Sequence, residues 1–149
     1  RRRGEFIHRV LAFIEYLNDG WELGLEKRIR EIVQETNIDY PIAEIKKEIL
    51  DFVYQEEIRP YFVWQPGRIV LREQDFSDSE GNLLRMDRVI VDENRVTVID
   101  YKTGLEKTEE EKYLSQVRNY RKILQNLYPN KKVEGVIAYF DRKEVTKIN

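Results

Sequence analysis

The apolar residues of this chain change period after its first sixty positions. Up to about residue 57 they recur every three or four positions; from Tyr61 to Tyr101 they alternate. A helical stripe and an alternating run each need a partner to cover them, so the chain must combine a helical segment with a sheet. In the first part, Phe6, Val10, Phe13, Ile14 and Leu17 form one stripe that Asn18-Asp19-Gly20 stops. A second helix is expected from about Trp21 to Gln34, with Leu25, Ile29, Ile32 and Val33 inward. A third starts at Pro41, a residue suited to the first helical position, and runs to about Glu57 with Ile42, Ile45, Ile49, Phe52 and Val53 inward.

The alternating part divides at its turn residues. Tyr61 to Trp64 is short and strand-like, and Gln65-Pro66-Gly67 turns the chain. Strands follow at Ile69 to Phe76, Leu83 to Val91 and Arg95 to Tyr101. Then come a loop from Thr103 to Thr108, a helix from Glu109 to about Tyr128, a buried strand from Val133 to Phe140 and a short edge at Glu144 to Ile148. An antiparallel meander followed by one helix and one more strand predicts an α/β fold with a mixed central β-sheet flanked by helices, preceded by an N-terminal helical segment. Its 149 residues suit a single domain, and the start RRRGEF, without methionine, reads as a piece excised from a longer protein.

Bulk properties exclude several classes. Cysteine is absent, so there are no disulfides, thiolate zinc sites or iron–sulfur clusters. No apolar run is long enough for a membrane span. Net charge is −2, so composition does not announce a nucleic-acid binder. Local basic clusters at Lys27, Arg28 and Arg30, at Arg118, Arg121 and Lys122, and at Lys131 and Lys132 read first as solvated helix faces.

Chemistry gathers at the end of the third strand, RVTVIDYKTG. Alternation puts Val96, Val98, Asp100 and Lys102 on one face. If the preceding hairpin loop is Asp92 to Arg95, Val91 opposes Val96, Val89 opposes Val98 and Asp87 opposes Asp100. The other face carries Ile90, Thr97, Ile99 and Tyr101, so both faces are largely apolar and the hairpin is expected to be central. Two carboxylates side by side in such a place require a cation, either Lys102 or a divalent metal; all-oxygen donors favour Mg²⁺ or Mn²⁺ over zinc. A structural Asp–Lys pair at a strand end, with Asp87 exposed, satisfies the same spacing.

These residues resemble the PD-(D/E)XK nuclease superfamily, and within it the RecB-like nuclease domains of bacterial RecBCD- and AddAB-type helicase–nucleases. GEFIHRVL is similar to that family's first-helix motif, RMDRV supplies its aspartate, IDYKTG its Asp-x-Lys core and QVRNY its Gln-x-x-x-Tyr motif, while LREQDF looks like its glutamate-bearing strand. The match runs from Gly4 to about Phe140, and the chain's end soon after its last strand is similar to the AddA arrangement, where the nuclease is C-terminal. The lack of cysteines matches the branch without an iron–sulfur cluster.

The resemblance implies a restriction-endonuclease-like core and a Mg²⁺-dependent deoxyribonuclease, with Mn²⁺ substituting, that acts on DNA ends in double-strand-break repair and recombination. It implies Asp87, Asp100 and Lys102 as catalytic residues, with Glu73 as an accessory carboxylate. It implies His8, Asp87, Asp100 and the main-chain carbonyl of Tyr101 as metal ligands, and Gln116 and Tyr120 as DNA contacts. Implied partners are DNA, helicase domains of the same chain and a second subunit, in a bacterial cytoplasm. Taken alone, His8 is a surface histidine and Gln116 and Tyr120 an amide and a core tyrosine. A catalytically inactive DNA-binding or structural module of the same fold is the alternative.

Overall fold

The computed structural model describes residues 2–106 and 108–149. They form two compact units, one ending at Trp64 and the other Gln65–Asn149. The first contains α1 (Arg2–Phe13), α2 (Trp21–Thr36), α3 (Ile42–Val53) and a 3₁₀ turn at Arg59–Tyr61. α1 contacts α2, and α2 contacts α3. Phe6, Val10 and Leu11 of α1, Leu25, Ile29 and Ile32 of α2, and Ile45, Ile49 and Phe52 of α3 are buried. Arg3–Glu48 at 2.8 Å ties α1 to α3.

Three boundaries differ from the sequence reading. α1 stops at Phe13 instead of reaching Leu17: Ile14 N–H bonds the carbonyl of Leu11 three residues back, and Leu17 N–H goes to Phe62 O at 2.9 Å. α3 ends at Val53, not near Glu57, and the tightened bond Gln55 N to Phe52 O marks the end. Tyr61 to Trp64 does not begin the sheet; Phe62 N–H bonds Arg59 O, so this apolar run closes the 3₁₀ turn around Pro60. Pro41 is the residue before the first helical position.

The second unit is a five-stranded sheet in spatial order β1 (Ile69–Ser77), β2 (Leu83–Val91), β3 (Arg95–Lys102), β4 (Lys132–Tyr139), β5 (Glu144–Ile148). All pairs are antiparallel except β3–β4, which is parallel and connected through α4 (Glu110–Leu127). This is the expected mixed α/β sheet with the hairpin strand β3 at its centre. The predicted register holds: Val91 pairs with Val96 and Val89 with Val98. α4 lays Val117, Tyr120, Ile123 and Leu124 on the face that carries Val89, Val91, Val96, Val98, Val133 and Ile137. Burial of each such side chain contributes roughly 1.5–3 kcal/mol. On the opposite face Arg88, Ile90, Thr97, Ile99 and Tyr101 are also buried.

Strict alternation fails at one place. Met86 joins the same core cluster as Val89 and Val91, and Phe76 joins it while Leu71 packs against it. Both β1 and β2 therefore change face midway. The register runs Arg72 to Arg88 and Gln74 to Met86, which leaves Glu73 and Asp87 across from each other at the changeover. Glu73 makes the change possible by adopting a left-handed backbone, φ +46°.

The basic clusters are mostly held within the chain. Arg28 and Arg30 pair with Glu31 and Glu26, Arg121 donates to Val133 O, and Lys131 Nζ donates to Asp92 O and Glu93 O.

Candidate active site at the end of the central strands

Asp87 lies one step past the last β2–β3 rung, Arg88–Ile99, in line with Asp100. Here the side chain takes over from the backbone: Asp87 Oδ2 accepts the main-chain N–H of Tyr101 at 2.8 Å. The carboxylate is thereby fixed against the strand that carries Asp100 and Lys102. Asp100 is buried, with 7% of its side chain exposed, and Lys102 Nζ sits 2.9 Å from its Oδ2.

α4 closes the site from its own side. Lys102 Nζ donates to Gln116 Oε1 at 3.1 Å, Gln116 Nε2 donates to the Tyr120 hydroxyl at 2.8 Å, and that hydroxyl donates to Arg85 O at 3.4 Å. The lysine's need for an acceptor fixes which way the Gln116 amide faces. Burial first, and then the negative charges of Asp100 and Asp87, push the Tyr120 phenol up to about 12. Burial likewise holds the Tyr101 phenol on the other face well above its ordinary range, against the pull of the Arg88 guanidinium.

The structure therefore brings together Asp87, Asp100, Lys102, Gln116 and Tyr120, with Glu73 across the ladder from Asp87. His8 stands in the helical unit, on α1. Its Nδ1 is 2.8 Å from Gly4 O. A carbonyl can only accept, so Nδ1 carries a proton, and in the neutral ring Nε2 is then the acceptor nitrogen, the form a metal requires. The Gly-x₃-His spacing is thus one helical turn used to set a tautomer.

Two buried-strand carboxylates and no soft donor fit a hard divalent ion. Among the described residues, no three His, Asp or Glu side chains form a group that could hold a metal ion. Lys102 is the cation beside Asp100.

Two residues at this end were not singled out by the sequence. Lys102 Nζ lies 4.3 Å from the centroid of the Tyr113 ring. Asp141 Oδ2 accepts the Gly104 N–H at 2.6 Å, just after Phe140 N–H bonds Lys102 O at 2.8 Å. Together they tie the start of the β3–α4 loop to the end of β4, and Gly104 supplies the left-handed turn, φ +93°. Tyr113 was legible as part of the α4 stripe; nothing in the local pattern marked Asp141.

The mixed sheet thus carries Asp87, Asp100 and Lys102 at the end of its central strands, with Gln116 and Tyr120 beside them on the crossover helix. Residues 1–149 match the family model of the PD-(D/E)XK nuclease superfamily, and the chain belongs to that superfamily. It is similar to an ATP-dependent helicase/nuclease subunit of Lactobacillus johnsonii, 27% identical over 172 aligned positions that cover 98% of this chain and 14% of that protein. It is similar also to the corresponding helicase/nuclease subunit of Lactobacillus helveticus, 26% identical over 97% of this chain and 14% of that protein. The chain thus spans about one-seventh of the length of these relatives. Among solved structures, an XisH family protein from Nostoc punctiforme is similar at a TM-score of 0.38 and 16% identity, covering 56% of this chain and 89% of that one. A likeness that slight adds nothing to the functional reading. No helix among the described residues is long and apolar enough to cross a membrane.

Proposed function

We propose that this chain is the metal-dependent DNA nuclease domain of a bacterial ATP-dependent helicase–nuclease, hydrolysing phosphodiesters as an exonuclease at DNA ends during double-strand-break repair and recombination. The observation that carries this reading is the seat of Lys102, between the Asp100 carboxylate at 2.9 Å and the Gln116 amide at 3.1 Å, beside Asp87. A purely structural ion pair needs only Asp100. It does not account for a second carboxylate pinned by Tyr101 N–H, or for an amide–phenol relay reaching Lys102 from another element.

Asp87, Asp100 and the Tyr101 carbonyl would hold a divalent ion, Mg²⁺ with Mn²⁺ able to replace it. The bound ion supplies an acidified water and positive charge for the phosphoryl oxygens. The chain's own residues do the rest. Lys102, a compact point charge on a flexible stem, orients the attacking water and offsets charge that develops on the phosphate. Gln116 fixes Lys102 and, with Tyr120, contacts the DNA strand. Glu73, across the ladder from Asp87, would add negative charge there as an accessory carboxylate. The valine-rich strands provide a rigid platform, so that these groups hold their positions without substrate.

With a net charge of −2, this region is a weak electrostatic binder of DNA by itself. In the proposed whole protein, helicase domains of the same chain and a second subunit deliver the strand in the cytoplasm. A Mn²⁺ titration followed by thermal melting tests the metal site without needing DNA. Binding to the native state alone stabilises by about 2.7 kcal/mol at a hundred times the dissociation constant. The expected result is a rise in Tm that disappears in Asp100→Ala. No rise in the parent chain would overturn the metal assignment.

A further inference from the structure

We propose that Tyr113 is a positioning residue for Lys102: its ring face forms the third side of a seat whose other two sides are Asp100 and Gln116. The inference rests on the reading of Lys102 as the residue that meets water and phosphate. A lysine ammonium has three donors on a freely rotating head, and its stem has four rotatable carbons. Asp100 Oδ2 faces Nζ as an ion pair at 2.9 Å, and Gln116 Oε1 accepts one of its donors at 3.1 Å. The Tyr113 ring stands 4.3 Å from Nζ, centroid to nitrogen, within the range where a cation is attracted to an aromatic face.

Tyr113 is itself held. Its ring packs against the α4–sheet core, and its hydroxyl donates to Glu109 Oε2 at 3.3 Å, one turn back at the start of α4. Tyr113, Gln116 and Tyr120 follow at spacings of three and four, so one face of α4 presents the ring, the amide and the phenol in a row. The ring does something that a further hydrogen-bond acceptor would not. It confines the ammonium by its quadrupole without capturing a strong donor, so one N–H stays exchangeable for a substrate oxygen while the head remains in place. An aliphatic side chain of similar size would fill the space and leave the lysine head unconfined on that side.

Two variants separate the ring from the hydroxyl. Tyr113→Phe keeps the face and loses the bond to Glu109; Tyr113→Leu loses the face. The first readout needs no activity. In a carbon–proton correlation spectrum, the ε-methylene of Lys102, identified by its loss in Lys102→Ala, is expected upfield of the other lysines through the ring current. It stays there in Tyr113→Phe and returns to the common lysine position in Tyr113→Leu. The second readout is DNA cleavage. Tyr113→Leu should lower kcat about tenfold with KM within about twofold, and Tyr113→Phe should retain the parent rate.

An undisplaced Lys102 signal in the parent chain overturns the seat, and so does a Tyr113→Leu variant with the parent kcat. So does a Tyr113→Phe variant as slow as Tyr113→Leu, because the hydroxyl would then be what matters. A displaced signal in a chain that cuts no DNA under any divalent ion removes the nuclease reading and leaves the ring contact standing. A chain that cuts while its signal is undisplaced does the reverse.

Discussion

Gly135 of β4 and Val117 of α4 lie so close that a methyl group on Gly135 would stand 2.5 Å from Val117 Cγ1. The helix that carries Tyr113, Gln116 and Tyr120 is seated on the sheet through this gap. Gly135→Ala should therefore lift α4, because the contact meets a β-branched side chain that has few rotamers to escape into. The expected cost is about 1–3 kcal/mol in denaturant unfolding, with weaker cleavage because Gln116 moves away from Lys102. An unchanged midpoint would show that the helix has slack there.

Asp87 has two separable duties, a charge and a hydrogen bond to Tyr101 N–H at 2.8 Å. Asp87→Asn retains an acceptor oxygen for that bond and removes the charge; Asp87→Ala removes both. The Asn variant should melt close to the parent chain and cut no DNA. The Ala variant should lose the activity and a further ~1 kcal/mol of stability. A cutting Asn variant would contradict the metal role.

Glu73 holds a left-handed backbone at φ +46°, which costs an L-residue on the order of 1–2 kcal/mol. Glycine adopts that conformation without strain. Glu73→Gly should consequently be more stable than Glu73→Ala, while both variants cut more slowly than the parent. If Ala is the more stable of the two, the backbone at this position is not strained. If both cut at the parent rate, the carboxylate has no part in the site.

Away from the chemistry, Arg68 grips Asp92 through two bonds, at 2.8 and 3.0 Å, at the β2–β3 turn. The guanidinium holds the Asp92 carboxyl below the usual carboxylate range, against the opposing effect of burial. A carboxylate with a depressed folded pKa contributes stability above its unfolded pKa and loses it as pH falls through the folded one. Asp92→Asn should thus lower Tm at neutral pH, by an amount worth about 1–3 kcal/mol. The difference from the parent should shrink as pH drops below about 4, the ordinary aspartate value. A constant difference across that range would mean that the loss is one of packing, not charge.

The order of elements, the mixed sheet and the Val91–Val96 register were all legible in the sequence, because each depends on period and turn length near in the chain. Asp100 and Lys102 stood out as charges on an apolar strand. What stayed hidden depends on neighbours far apart in sequence. The face change at Glu73 and Asp87 breaks alternation without a glycine or proline to announce it. The end of α1 at Phe13 is set in part by Leu17 N–H finding Phe62 O, forty-five positions away. Asp141 meets this end of the sheet through Gly104, thirty-seven positions away, and Tyr113 showed itself as an apolar stripe residue because its ring, not its hydroxyl, meets Lys102. His8 and Gln116 carry no signal of their own in composition or period; resemblance to a nuclease family singled them out.

The most direct test of the account is cleavage of linear single- and double-stranded DNA at low ionic strength, in Mg²⁺, Mn²⁺ or EDTA, by this chain and by Lys102→Ala. The account predicts cutting that requires the divalent ion and is lost in the variant. Cutting that persists in EDTA, or in Lys102→Ala at the parent rate, would contradict it, as would a parent chain that cuts neither substrate with either metal.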